Sequence, residues 1–157
     1  MIYGQASITV TASPAEVLDF VCDLARYRTA DTKIGKVFSV EPDGDDQIAR
    51  FRSRLRGLPG PPVRQRIHRT GDSRIDITDM PSWQNRLVTF HGIFTCEPAK
   101  TGTLVVHREE FDFHGPMRRI AEPFLRSWLA ADVTDEVTRM SRLLGDVPAA
   151  RAERRDD

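Results

Sequence analysis

From residue 33 to residue 113 the chain alternates apolar and polar positions with period two, and only short turn-like segments interrupt it. After Gly115 and Pro116 the spacing becomes helical and stays so to about residue 145. No other feature constrains the fold as strongly. Alternation predicts strands near 34–42, 47–56, 62–70, 74–80, 86–97 and 102–113. The links Pro42–Asp46, Gly57–Pro62, Gly71–Ser73 and Ala99–Gly102 are rich in turn residues. Parallel neighbours need long crossovers, so links this short predict antiparallel hairpins.

Residues 2–12 add a seventh strand, with Ile2, Gly4, Ala6, Ile8 and Val10 on one face. Ser13, Pro14 and Glu16 then open a helix as N-cap, first helical residue and first-turn acid. Val17, Leu18, Phe20, Val21 and Leu24 are its apolar face, and Asp23–Arg28 reads as a second short helix. In the last element Pro123 removes a backbone donor, which predicts a kink and a main helix over 123–144. Phe124, Leu125, Trp128, Leu129 and Ala131 form one stripe; Val133, Val137, Met140 and Leu144 form a second, rotated about a quarter turn. The expectation is a cavity-facing half, Phe124–Asp132, and an anchoring half, Val133–Leu144. The fold class is therefore α+β: a seven-stranded curved antiparallel sheet around a long C-terminal helix, with one or two short helices after the first strand.

A chain of 157 residues suits one domain, read here as 1–145 followed by a flexible polar tail over 146–157. The 23 basic and 23 acidic residues cancel, so the net charge does not point to nucleic acid or to an acidic membrane. Cys22 and Cys96 stand far apart in apolar segments, which predicts buried free thiols in a reducing compartment. The first residues lack a basic stretch followed by an apolar one, and no apolar run reaches membrane-span length. A soluble, cytoplasmic protein is the expectation.

Three groups of residues carry a family resemblance: Thr11–Val17 followed by Phe20, Asp23 and Tyr27; Gly92–Pro98 followed by Gly102 and Thr103; and Gly115–Ile120 with Pro123 and Phe124. Over about residues 3–145 the chain resembles the START-like, Bet v 1-type helix-grip (SRPBCC) superfamily, and within it the polyketide cyclase/dehydrase and lipid-transport group. It departs from that group at Arg28 and Thr29, where a Pro-Trp pair often follows the tyrosine. The resemblance implies a hydrophobic ligand and, in some members, aromatase or cyclase activity.

A sheet folded round one helix encloses more volume than the helix fills, and ligands sit in such spaces. The candidate ligand wall is Phe51, Trp83, Phe90, Phe94, Phe111, Phe124 and Trp128, with Gly92 leaving room beside the rings. The same residues also read as packed core. Asp132 shares the helical face of Phe124 and Trp128 and needs a partner if buried. Period two puts His107 and Glu109 on one face with Val105, Phe111 and Phe113, the pairing that acid–base chemistry on a carbonyl compound uses. The opposite face carries Leu104, Val106, Arg108 and Glu110, and a bulge would exchange the two. His107, Glu109 and Asp132 are the catalytic candidates. A His-x-Glu pair is also part of a metal ligand set, but no third ligand stands at useful spacing, so no metal and no cofactor are expected.

Arg50, Arg52, Arg54 and Arg56 alternate along one strand, and Arg64, Arg66 and His68 along the next. This reads either as a basic face for an anionic partner or as a solvated face balanced by Glu41, Asp76 and the acidic turn at 43–46. Aromatic residues do not interleave with these arginines, so nucleic acid is not expected. The leading reading is a carrier or sensor of a small hydrophobic, lipid-like or polyketide-like molecule. A cyclase, aromatase or dehydratase in the same cavity is the alternative, and an interaction protein using the basic face is a third. The oligomeric state is not legible in the sequence.

Overall fold

A computed structural model describes residues 1–145, so the tail expected at 146–157 lies outside the described residues. Seven strands form one antiparallel sheet: β1 (Ile2–Val10), β2 (Ile34–Asp43), β3 (Asp46–Leu55), β4 (Leu58–Thr70), β5 (Arg74–Asp79), β6 (Val88–Ala99) and β7 (Gly102–Phe113). Their order is β1-β7-β6-β5-β4-β3-β2, so the first two strands in the chain occupy opposite edges. Helices α1 (Pro14–Cys22) and α2 (Leu24–Tyr27) carry the chain between those edges, and α3 (Pro116–Leu144) closes the molecule. The helix-grip α+β fold is thus present, with two short helices after β1.

Local chemistry explains the boundaries. At the start of α1 the Ser13 side chain accepts from the Glu16 amide and the Glu16 side chain accepts from the Ser13 amide, with Pro14 in the first turn. This reciprocal cap contributes on the order of 1 kcal/mol. Between β3 and β4 the turn is only two residues long, because Arg56 (φ 51) and Gly57 (φ 80) both take positive φ. The longer Gly57–Pro62 link expected from composition is therefore corrected: β4 begins at Leu58, and its prolines lie inside the strand. They are tolerated because β5 pairs with β4 only from Gln65 onward, leaving the edge beside them free. Helix α3 runs without interruption from Pro116 to Leu144, with Pro123, where a kink was expected, inside it.

The sheet and α3 meet closely at one place. A Cβ on Gly4 would lie 2.8 Å from the Leu129 carbonyl oxygen and 2.9 Å from Val133 Cγ2, so only glycine lets β1 approach the helix there. Leu125, Leu129, Val133, Val137 and Met140 are the buried face of α3, whereas Phe124 and Ala131, both expected on it, face solvent. One core cluster joins α1 and α2 to the inner face of the sheet through Val17, Leu18, Phe20, Tyr27, Ile75 and Phe94. A second joins β1 and β7 to α3 through Ile2, Phe113, Leu125, Leu129 and Val133. Among the described residues no helix is long and apolar enough to cross a membrane.

Candidate functional site

Both clusters contribute to the wall of a cavity of about 460 Å³ between the sheet and α3. Phe51, Ile77, Phe90, Phe111, Phe113, Leu125, Trp128 and Leu129 make most of its apolar wall. Its rim is formed by the β3–β4 hairpin, at Leu55–Pro61, and by Ser82, Gln84 and Asn85 ahead of β6. Register fixes the depth. Val88 faces Phe113 at the rim end of the β6–β7 pair, and Phe94 faces His107 six residues deeper.

β7 keeps an uninterrupted register with both β1 and β6, so no bulge exchanges its faces. His107 and Glu109 therefore point inward with Val105 and Phe113, and each is 1% exposed. Outside, Arg108 and Glu110 pair with each other at 2.7 Å. Both inward groups line the deep end of the cavity, where Tyr27, Asp31 and Lys33 join them.

Lys33 sits at the centre of this deep end. Its Nζ lies 3.0 Å from Asp31, 3.3 Å from Glu109 Oε2, 2.6 Å from Asp132 and 2.8 Å from Glu136 Oε2. Glu136 is fully buried; its Oε1 accepts from the Tyr27 hydroxyl and lies 3.1 Å from His107 Nε2. His107 Nε2 is 3.4 Å from Glu109 Oε1. Its other ring nitrogen, Nδ1, donates to the Ile93 carbonyl at 3.1 Å, and the ring stacks on Phe94 at 3.8 Å. Four carboxylates thus surround one ammonium and one imidazole in a space nearly closed to water.

Burial alone would neutralise each of these groups, but their mutual attraction redistributes the protons. For Lys33 burial opposes the charge, yet Asp31, Glu109, Glu136 and Asp132 outweigh it and hold the ammonium well above its ordinary range. Burial likewise opposes the His107 cation, and Glu136 with Glu109 overcomes this and raises it to about 10. Burial also works against the Glu136 charge, but Lys33 and His107 together outweigh it and hold the carboxyl below its usual range. Asp31 goes the other way, to about 7: burial raises it more than Lys33 lowers it. Burial, followed by the Glu136 charge, pushes the Tyr27 phenol well up.

The candidates read from sequence separate into three groups. Phe51, Phe90, Phe111 and Trp128 line the cavity together with His107 and Glu109. Asp132 reaches the same cluster from α3 through Lys33. Three wall assignments are corrected. Phe94 is fully buried behind His107, stacked on its ring, and does not reach the cavity. Phe124 is 69% exposed because α3 turns Leu125 inward in its place. Trp83 is 67% exposed on the short 3-10 turn Trp83–Arg86, while its neighbours Ser82 and Gln84 face the rim.

Sequence reasoning missed Asp31, Lys33 and Glu136. Glu136 had a signal: it falls on the α3 stripe between Leu129 and Met140, a carboxylate among apolar positions. Lys33 had none, since a lysine at the start of a strand is ordinarily solvated.

Arg50, Arg52, Arg64 and Arg66 are exposed as alternation predicted, but the ladder shifts register between Arg52 and Arg54, Arg54 lines the cavity, and Arg56 lies in the turn after β3. Their balance is partial. Arg66 pairs with Asp43 and Asp46, and Arg50 lies over the Phe38 ring. Asp76 instead pairs with Arg74 and His91 at the middle of the sheet. Arg50 stands directly opposite Arg64 in the ladder.

A family model described as polyketide cyclase/dehydrase and lipid transport matches residues 1–145. Among curated proteins none matches the chain. Solved structures share the fold at low identity. A protein from Thermus thermophilus is 14% identical, with a TM-score of 0.72 over 90% of this chain and 96% of that one. A START superfamily protein from Mycobacterium smegmatis is 12% identical, with a TM-score of 0.71 over 90% and 96%. The Zhui aromatase/cyclase from a Streptomyces species is 16% identical, with a TM-score of 0.66 over 92% and 98%.

Proposed function

The chain belongs to the polyketide cyclase/dehydrase and lipid-transport family, and from that premise we propose that it binds a small, largely apolar, lipid-like or polyketide-like molecule whose one polar end meets the buried charge cluster. The observation that carries this reading is the cavity itself: about 460 Å³, walled by aromatic and aliphatic side chains and ending on Lys33, His107 and Glu109. Specific small-molecule sites combine an apolar wall with a few converging polar groups in this way. The wall supplies affinity through burial, at roughly 25 cal/mol per Å² of apolar surface. Charged groups at the deep end fix the orientation, because a ligand oxygen placed elsewhere loses its partners. Mass spectrometry of small molecules retained through native purification tests the reading, alongside thermal shift against fatty acids, isoprenoids and polycyclic phenols. One class should be retained or should raise Tm. An empty protein that no class stabilises overturns the proposal.

A second reading is favoured by one specific arrangement, the 3.4 Å approach of His107 Nε2 to Glu109 Oε1 at the deep end. A histidine raised to about 10 is cationic at neutral pH and can give a proton to a ligand carbonyl oxygen. A carboxylate beside it can take a proton from the carbon next to that carbonyl, forming the enol from which ring closure or loss of water proceeds. In this reading Asp132 does not touch the ligand; with Asp31 and Glu136 it positions Lys33. Incubation with a polycarbonyl compound should give a cyclised or dehydrated product, slowed about 100-fold or more by H107Q or E109Q, with ligand affinity changed far less. Absence of turnover by the unaltered protein removes this reading and leaves the binding one standing.

A further inference from the structure

His107 Nε2 is an unusual atom. It is buried, it faces two carboxylates, and it makes no hydrogen bond among the described residues. Its distances to Glu136 Oε1 and Glu109 Oε1 are 3.1 and 3.4 Å, yet neither oxygen lies where the ring N–H would meet it well. The rest of the ring is fixed. Nδ1 donates to the Ile93 carbonyl and one face rests on Phe94, so the imidazole has little freedom to rotate toward either partner.

The two glutamates are oriented with equal care. Lys33 draws Oε2 of both Glu109 and Glu136 to its own side, at 3.3 and 2.8 Å, which turns both Oε1 atoms toward His107. The Tyr27 hydroxyl donates to Glu136 Oε1 and steadies it further. Three donor atoms therefore form a triangle: one imidazole nitrogen and two carboxylate oxygens, all within 4.8 Å of one another. A four-coordinate zinc-type ion bonds such donors at about 2.0–2.2 Å, which sets its ligand–ligand edges at about 3.3–3.6 Å. The two edges from Nε2, at 3.1 and 3.4 Å, lie near that range, and the third is within 4.8 Å. A histidine that ligates a metal ordinarily donates its other N–H to a carbonyl or carboxylate, as His107 does to Ile93.

Charge counting favours the same occupant. Asp31, Glu109, Asp132 and Glu136 bring four formal negative charges, and Lys33 returns only one. A protonated His107 returns one more, which leaves a formal net charge of about −2 in a low-dielectric space, and exchanging the Nε2 proton for a divalent ion moves it to about −1.

We propose that His107 Nε2, Glu109 Oε1 and Glu136 Oε1 form a three-donor site for a divalent transition-metal ion of the zinc type, with its fourth position open to the cavity. The third donor comes from α3, far from the His-x-Glu pair in sequence, which is why linear spacing gave no ligand set. An ion there takes the place of the proton on Nε2. It would receive a ligand oxygen directly, so metal occupancy and the proton-donor role of His107 exclude each other. The site does not depend on the nature of the apolar ligand.

The test uses the full chain after chelator treatment, titrated with Co²⁺ and followed by visible absorption, with Zn²⁺ as competitor in calorimetry. The expected result is one Co²⁺ per chain, with the intense bands of four-coordinate cobalt, displaced by Zn²⁺. H107Q and E109Q should each weaken binding about tenfold or more, whereas H68Q, at the exposed His68–Asp46 pair, should leave it unchanged. E109Q conserves shape at the cavity wall, and the spectrum of the unaltered chain needs no variant at all. No stoichiometric binding, six-coordinate cobalt bands, or binding lost in H68Q and kept in E109Q overturns the site. Ligand retention is measured separately, so failure of the metal site and failure of the cavity reading remain distinguishable.

Discussion

Two regions of this protein are dense in charge, and they behave oppositely. On the outer face of β3 and β4, arginines alternate in neighbouring strands, and Arg50 faces Arg64 directly across the ladder. Inside, Lys33 and His107 meet four carboxylates at the deep end of the cavity. The outer rows are read off the sequence at a glance, yet water screens them and each contributes little. The inner cluster is scattered through the chain, yet every member depends on the others because burial makes an unpaired charge expensive. Conspicuous charge in a sequence and consequential charge in a fold are different things.

The contrast is broken most directly at Lys33. K33M leaves four buried carboxylates without their common cation, and loss of one partner from a buried pair costs about 3–5 kcal/mol. Denaturant titration should show a loss of that order or an unfolded protein; a change under about 1 kcal/mol would mean that water reaches the cluster freely. E136Q should destabilise somewhat less, since the amide can still accept from Tyr27 while leaving Lys33 and His107 short of one counter-charge.

pH sharpens the comparison further. The His107 pKa is raised from 6.5 to about 10, so its contribution is complete below pH 6.5 and is lost as pH rises toward 10. Glu136 is held below its ordinary 4.5, so its contribution is complete above pH 4.5 and is lost as pH falls further. Asp31, raised from 3.8 to about 7, favours the folded state while protonated and erodes stability across that interval. Thermal unfolding should therefore be hardest in mildly acidic solution and should ease from neutral pH upward. H107Q should flatten that alkaline decline, and an unchanged slope in H107Q would assign the decline to other groups.

The smallest effect is expected outside. R64T removes one of two like charges that face each other in the ladder, and stability should stay within about 0.5 kcal/mol or rise slightly. Raising salt should abolish even that difference. A loss above about 1 kcal/mol would show that the outer rows hold the sheet together after all.

Much of the architecture follows from local pattern. Ile2 to Val10 alternate because one face of an edge strand packs on α3, and the Ser13–Glu16 cap is written in four consecutive residues. On β7 alternation puts His107 and Glu109 on one face, but only the unbroken register with β1 and β6 decides which face looks inward. Misreadings arise where local rules give way to packing. Prolines suggested a loop at 57–62, but an unpaired edge accommodates them in β4. Aromatic character suggested that Trp83, Phe94 and Phe124 face the cavity, but hydrophobicity does not say which side of an element is covered.

The sequence by itself determined the order of elements, their antiparallel pairing and the sharing of one β7 face by His107 and Glu109, because each rests on periodicity within a few residues; the structure decided that this face looks inward. Only the tertiary structure decided that Lys33 meets Asp132 and Glu136 across 99 and 103 residues of chain. Those contacts exist because the path from β1 through α1 and α2 sets the start of β2 beneath α3. No local rule encodes that distance, and once it is closed the low dielectric around it turns four ordinary carboxylates and one lysine into a single interdependent cluster.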